Sequence, residues 1–258
     1  MKLLSLNLWG GREFAPLMEY LASKIPEVDI FCLQEIFDTK DNITYSHQVR
    51  ANLWQELCAL FMDYHKFYYP AIAGFDPEGK VDYNLTFGMG IFAKRSLDIK
   101  NEGDYFTYKE RFGEKEDERY SPTHLQYISF DHKNKPYLIC NFHGIWFPGD
   151  KLDTPNRLEQ SQKILTFLNH HPNELKILVG DFNLMPETES IRILDHQLID
   201  LIKQYDIKRT RSKISPFFGT KDEQKYADFS FVSKVNVINF QVPEVEVSDH
   251  LPMILEFV

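Results

Sequence analysis

The chain has 258 residues, 43% of them hydrophobic and 14% aromatic, with no low-complexity window; it is long enough to bury a sizeable core and too apolar for a disordered protein. Its formal net charge of −9, from 29 basic and 38 acidic residues, excludes a chain-wide electrostatic grip on long duplex DNA but not a local basic site. No stretch reaches the roughly 20 apolar residues of a membrane span. The opening Met1-Lys2-Leu3-Leu4 breaks at Asn7 before a signal-peptide core can form. With Cys32, Cys58 and Cys140 irregularly spaced, these features predict a soluble cytoplasmic protein with free thiols and no stable membrane association.

In chain order, residues 2–8 alternate as a strand, and Phe14, Leu17, Met18, Leu21 and Ala22 have helical spacing over 14–24. Residues 29–35 read as a buried strand ending in polar residues. Residues 47–60 fit a helix with Val49, Leu53, Leu57 and Leu60 on one face. Tyr68 to Ala73 and Phe87 to Ala93 read as strands, with a turn-rich stretch between them. The charged segment 97–119, carrying Gly103 and Gly113, reads as a hairpin or an exposed connection. Strands follow at Thr123 to Phe130 and Pro136 to Phe142. A Gly- and Pro-rich loop, 144–156, then leads into a helix over 157–169 capped by Thr154 or Asn156. A strand at 176–180, a short helix near 188–195, and strands at Phe229 to Val232, Val237 to Val242 and Leu251 to Phe257 complete the pattern. Strands outnumber helices and are joined by both hairpin-length and helix-length connections. That predicts an α/β fold with mixed sheets and helices outside, built as one domain over 1–258.

Several of these strands end in residues able to meet metal or phosphate: Asn7 in Leu6-Asn7-Leu8-Trp9, Glu35 in Leu33-Gln34-Glu35, and His143 in Asn141-Phe142-His143. Asp181 and Asn183 follow Gly180 two apart, and side chains two apart on an extended chain face the same side. Asp228 precedes a strand, and Ser248-Asp249-His250 precedes the last one. Each is weak alone: Asn7 could end a strand, Glu35 could be a solvated acid, and Asp228 could be a turn residue. Their joint occurrence in this order is the signal.

That order of motifs across nearly the whole chain resembles the endonuclease/exonuclease/phosphatase family, the deoxyribonuclease-I-like fold. The resemblance implies a four-layer α/β/β/α sandwich of two packed mixed sheets flanked by helices, with the site where strand ends of both sheets meet. It also implies Mg²⁺- or Mn²⁺-assisted cleavage of a phosphoester by water. Under it, Glu35, with Asn7 and Asp249, lies on the metal side. Asp181 activates the water, and Asn183 holds the water or Asp181. His250 stabilises the transition state. Asp228 fixes the tautomer of His250 and favours its protonated form, and His143 acts as acid or phosphate donor.

Substrate signals are thinner. Trp146 and Phe147 either stack on a planar group or cover a sheet edge. Arg157 at a helix start is an anion contact or a surface residue. The basic run Lys203, Lys208, Arg209, Arg211 and Lys213 either grips flanking phosphates, Arg211 among them, or is a solvated loop. The expected substrate is a phosphodiester, from a short or single-stranded nucleic acid, a nucleic-acid end or a nucleotide. The alternatives are a lipid-headgroup diester cleaved in the manner of a sphingomyelinase, a phosphomonoester, and a catalytically silent phosphate-binding module.

Overall fold

The computed structural model describes residues 1–112 and 121–258. The elements in order are β1 (Lys2–Asn7), a 3-10 turn (Trp9–Gly11), α1 (Phe14–Lys24), β2 (Ile30–Asp38), β3 (Tyr45–Ser46), β4 (Val49–Arg50), α2 (Leu53–Leu60), β5 (Tyr64–Ala73), β6 (Phe75–Asp76), β7 (Gly79–Lys80), β8 (Thr86–Lys94) and β9 (Ile99–Tyr108). Then come β10 (Thr123–His132), β11 (Lys135–His143), α3 (Pro155–Asn169), β12 (Leu175–Asp181), α4 (Glu189–Asp195), β13 (Ile199–Asp200), α5 (Leu201–Gln204), β14 (Asp228–Val232), β15 (Val237–Gln241) and β16 (Met253–Phe257).

Two six-stranded sheets form, in the orders β15-β16-β1-β2-β8-β5 and β13-β14-β12-β11-β10-β9. Alternation in the first sheet sorts its side chains. Leu4 and Leu6 of β1 and Phe31 and Leu33 of β2 pack with Leu17 and Leu21 of α1 and Leu53 and Leu57 of α2. On the other face, Leu3, Ile30, Cys32, Ile91 and Ala93 join the second sheet's residues Ile139, Cys140 and Leu178, in a cluster that continues into Ile164, Leu165 and Leu168 of α3. The four-layer sandwich follows directly. β11 and β12 are buried on both faces, which is why they read as unbroken apolar runs. No helix among the described residues is long and apolar enough to cross a membrane.

Two sequence expectations are corrected. The helix over 47–60 begins only at Leu53. Before it, Val49 turns into a small cluster with Phe37, Ala51 and Leu85, and residues 45–50 form the β3–β4 hairpin. Of the two readings of 97–119, the exposed connection fails and the hairpin holds for its start, which is β9, a ten-residue edge strand paired antiparallel with β10. Its Lys100, Glu102 and Asp104 are charges suited to an edge that must not recruit a further strand. The end of that segment, Gly113 included, lies outside the described residues.

Gly180 is where packing positions chemistry. Its φ is +138°, and a Cβ there would sit 2.0 Å from the Phe142 carbonyl oxygen of the neighbouring strand. Only glycine lets β11 and β12 approach this closely immediately before Asp181. We expect Gly180→Ala to lower stability by about 3 kcal/mol, read as a fall in the denaturant midpoint. A change below about 0.5 kcal/mol would show that the two strands have room to move apart.

Candidate active site

Each sheet contains one parallel pair. β1 runs parallel to β2 with Asn7 opposite Gln34, and β11 runs parallel to β12 with His143 opposite Asp181. Parallel neighbours release their C-terminal ends on the same edge. Stacking the two pairs therefore brings Asn7, Glu35, His143 and Asp181 to one end of the sandwich. Antiparallel β14 adds Asp228 opposite Asp181. The Asn7 side-chain amide joins the sheets: its Nδ2 donates to Glu35 Oε1 and to Asp181 Oδ2, at 3.0 Å each. Beneath it, Gln34 donates to Asn141 Oδ1 at 2.6 Å, a buried contact that pins β2 to β11.

Local backbone departures aim the side chains. The β2–β8 ladder shifts register between Leu33 and Ile36, and Glu35 sits at φ +57° within that bulge. Asn183 has φ +53°, and its backbone N–H donates to Asp181 Oδ1 at 2.9 Å. The segment around Arg211 is knitted to the strand end that carries His250. Ser212 N–H donates to the Asp249 carbonyl at 2.9 Å, and Leu251 N–H to the Thr210 carbonyl at 2.7 Å.

Ligand atoms of Glu35, His143 and Asp181 lie within 4.8 Å of one another, as do those of Asp181, Asp228 and His250. The first trio offers two carboxylates and an imidazole, a donor set fitting a hard divalent cation. Burial alone would raise the pKa of Asp181. His250, Lys151, His143 and Arg211 around it outweigh that and hold it well below the usual carboxylate range. Asp228 moves the other way, pushed well up by burial and by the charge of Asp181. His250 Nδ1 lies 2.8–2.9 Å from both Asp228 oxygens, which fixes the tautomer. Burial first, and Arg211 second, push the His250 pKa down to about 4. Burial thus works against the protonated form of His250 that the Asp228 contact favours.

Other sequence candidates divide. Asp249 stands outside both trios, because its Oδ2 accepts from Arg211 Nη2 at 2.6 Å. Arg211 lies at the centre, with Nη1 against His250 Nε2. The rest of the basic run faces outward and pairs with acids: Lys203 with Asp195, Lys208 with Asp206, Arg209 with Glu223 and Lys213 with Glu244. It is not a continuous phosphate-gripping surface. Trp146 is exposed on the loop beyond His143.

Arg157 is not free to contact a substrate. It is fully buried, and its guanidinium donates to the carbonyls of Ile145, Trp146, Pro148 and Leu152 at 2.6–3.1 Å. It is the internal tie of the loop 144–154. That loop also delivers a residue missed in the sequence, Lys151, which is 7% exposed and donates from Nζ to Asn183 Oδ1 at 3.1 Å. A lysine between Asp150 and Leu152 in a Gly- and Pro-rich loop has no periodicity to mark it. Its only cue was membership in the loop that follows His143.

Arg157→Ala should cost about 3 kcal/mol, since it strands several carbonyls without donors, and thermal unfolding would report it. A stable variant with only a raised KM would restore the substrate-contact role.

Comparison with known proteins agrees with this geometry. The model of the endonuclease/exonuclease/phosphatase family matches residues 4–250. A mannosyl-6-phosphatase from Bacteroides thetaiotaomicron superposes with a TM-score of 0.69 at 20% identity, covering 100% of this chain and 99% of its own. A family protein from Leptotrichia buccalis superposes at 0.71 and 20% identity, covering 100% and 99%. The human Nocturnin catalytic domain gives 0.66 and 19%, covering 100% and 93%. At such identities the likeness is one of fold. No curated protein matches the sequence.

Proposed function

The chain belongs to the endonuclease/exonuclease/phosphatase family, and on that premise we propose that it is a divalent-metal-dependent phosphoester hydrolase acting on a phosphate at the end of a nucleotide-like or other small substrate. The observation that carries this reading is the Asn7 bridge, which holds Glu35 and Asp181 from opposite sheets around one point beside His143. Glu35, with Asn7 beside it, would hold Mg²⁺ or Mn²⁺ there, which leaves Asp181 and His143 for the proton transfers. When bound, such an ion supplies Lewis-acid neutralisation of charge on the phosphate and the leaving oxygen.

The chain's own residues carry the proton transfers. Asp181, ionised and held by the Asn183 N–H, takes a proton from the attacking water as the new P–O bond forms. The bond to the leaving oxygen breaks, and His143 protonates that oxygen. His250 meets a non-bridging oxygen at Nε2. An anionic phosphate there raises the ring's proton affinity and favours the imidazolium. Asp228 holds the ring through Nδ1 in both states. The pairing of the outer basic residues with acids weighs against a long duplex and for an end or a small molecule. One structural relative is a mannosyl-6-phosphatase and another holds a sulfate anion, both in keeping with a tetrahedral oxyanion at such a site.

With Mg²⁺ or Mn²⁺ the protein should hydrolyse members of a panel containing p-nitrophenyl phosphate, bis-p-nitrophenyl phosphate and short single-stranded oligonucleotides, and EDTA should abolish turnover. Asp181→Asn should lower kcat about 10³-fold. Turnover unaffected by EDTA, or a variant within tenfold of the parent, would remove the roles given to the metal and to Asp181.

A further inference from the structure

Lys151 is a buried ammonium with too few partners. An ammonium has three N–H donors. Among the described residues Nζ makes one hydrogen bond, to Asn183 Oδ1. Burial first, and the charge of Arg211 with it, push its pKa down; Asp181, Asp228 and Asp249 oppose this through space, yet none accepts a hydrogen bond from it. Keeping a cation buried with donors to spare is costly, and here the loop is built to keep it there. The Lys151 carbonyl accepts from Met185 N–H at 3.0 Å. Two residues on, Asp153 caps α4 through Glu189 N–H at 2.7 Å and Ser190 N–H at 2.9 Å. Arg157 gathers four of the loop's carbonyls. The ammonium is therefore preorganised, and its ordering cost falls on folding rather than on binding.

Arg211 enters from the opposite loop. Its guanidinium rests on Asp249 and Ser215 through Nη2 and on His250 through Nη1. The two cations thus flank the groups assigned to the reaction, Lys151 beside Asn183 and Arg211 beside His250. Their loops are also joined: Gln224 Nε2 donates to the Gly149 carbonyl at 2.6 Å. This bond ties the two cation-bearing loops to each other.

We propose that Lys151 and Arg211 clamp the terminal oxygens of a phosphate monoester dianion, so that the site takes a phosphate end in preference to an internal diester. A monoester carries about two negative charges near neutral pH, with three terminal oxygens to receive donors. A diester carries one charge and two such oxygens, and so offers the two cations less to hold. Hydrolysis then breaks the ester P–O bond and forms a P–O bond to water, giving an alcohol and inorganic phosphate. The two protons of water are shared between these products. This choice rests on the phosphoesterase reading above and departs from the diester expected from the sequence, where Lys151 was invisible.

The test uses the full chain with Mn²⁺, comparing p-nitrophenyl phosphate with bis-p-nitrophenyl phosphate in the parent and in Lys151→Met. The parent should favour the monoester, and the variant should lower the monoester-to-diester ratio of kcat/KM at least tenfold, as loss of a charge-assisted contact to phosphate requires. A parent that favours the diester, or a variant in which both substrates fall equally, overturns the clamp. Inorganic phosphate supplies a readout independent of turnover. It should raise the Tm of the parent in proportion to the logarithm of its concentration and shift Lys151→Met at least tenfold less sensitively. If no substrate is turned over but the phosphate shift depends on Lys151, the phosphoesterase reading fails and the clamp stands. If phosphate does not stabilise the parent, or stabilises both proteins equally, the clamp fails. Lys151→Gln replaces Lys151→Met should the latter lose its far-ultraviolet circular dichroism.

Discussion

One side-chain amide holds the two halves of this molecule in catalytic register. Asn7 ends β1 in one sheet and donates to Asp181, which ends β12 in the other, while its second hydrogen bond goes to Glu35 on the neighbouring strand. Two carboxylates brought this close repel each other, and neutral Asn7 separates them with donors rather than with charge. The geometry works because each sheet contributes one parallel pair and the C-terminal ends of both pairs lie at one end of the sandwich. A one-residue slip in either pair would turn Asn7 or Asp181 to the opposite face and dissolve the constellation. The buried Gln34–Asn141 contact beneath it, and the glycine contact at Gly180, guard against such a slip.

Charge balance is the second constraint. Asp181, Asp228 and Asp249 are all nearly or fully buried beside Lys151, Arg211 and His250. Burial drives Asp228 and His250 toward their neutral forms, while Asp181 keeps its charge because cations surround it. Like carboxylates are thus pushed in opposite directions, by placement and not by residue type. Environments that push equivalent groups apart are the usual mark of divided acid–base labour.

How much of this was legible in the sequence depended on how local the signal was. The apolar strands and the polar residues at their ends could be read, since period-two alternation and motif order survive without coordinates. So could the start of the helix expected over 157–169, within two residues: of its two candidate caps, Thr154 and Asn156, it is the Thr154 hydroxyl that accepts from Arg157 N–H. The β9 edge strand was legible only as one of two readings, because an edge strand carries charges where a core strand carries valine. The 45–50 hairpin was hidden by Val49 and Leu53, which happen to fall at a helical interval although they pack in different clusters. Arg157 and Arg211 looked alike as cations near a suspected anion site. What separates them is where their donors end, four loop carbonyls in one case and a histidine–aspartate edge in the other, and no spacing rule encodes that.

The division between sheets and loops also explains why the family resemblance carried the reaction class further than the substrate. The residues proposed above to hold a metal, activate water and steady His250 stand on or beside strand ends. The residues that meet the rest of a substrate stand on the loops 144–154 and 205–227, which the fold leaves free to vary. In this chain those loops are not loose: Arg157, Asp153 and the Gln224–Gly149 bond tie them to the scaffold and to each other. Loops so tied select by exclusion as much as by attraction. Reaction class follows from how the strands are paired, and the substrate choice proposed above rests on the two cations, Lys151 and Arg211, that these loops carry.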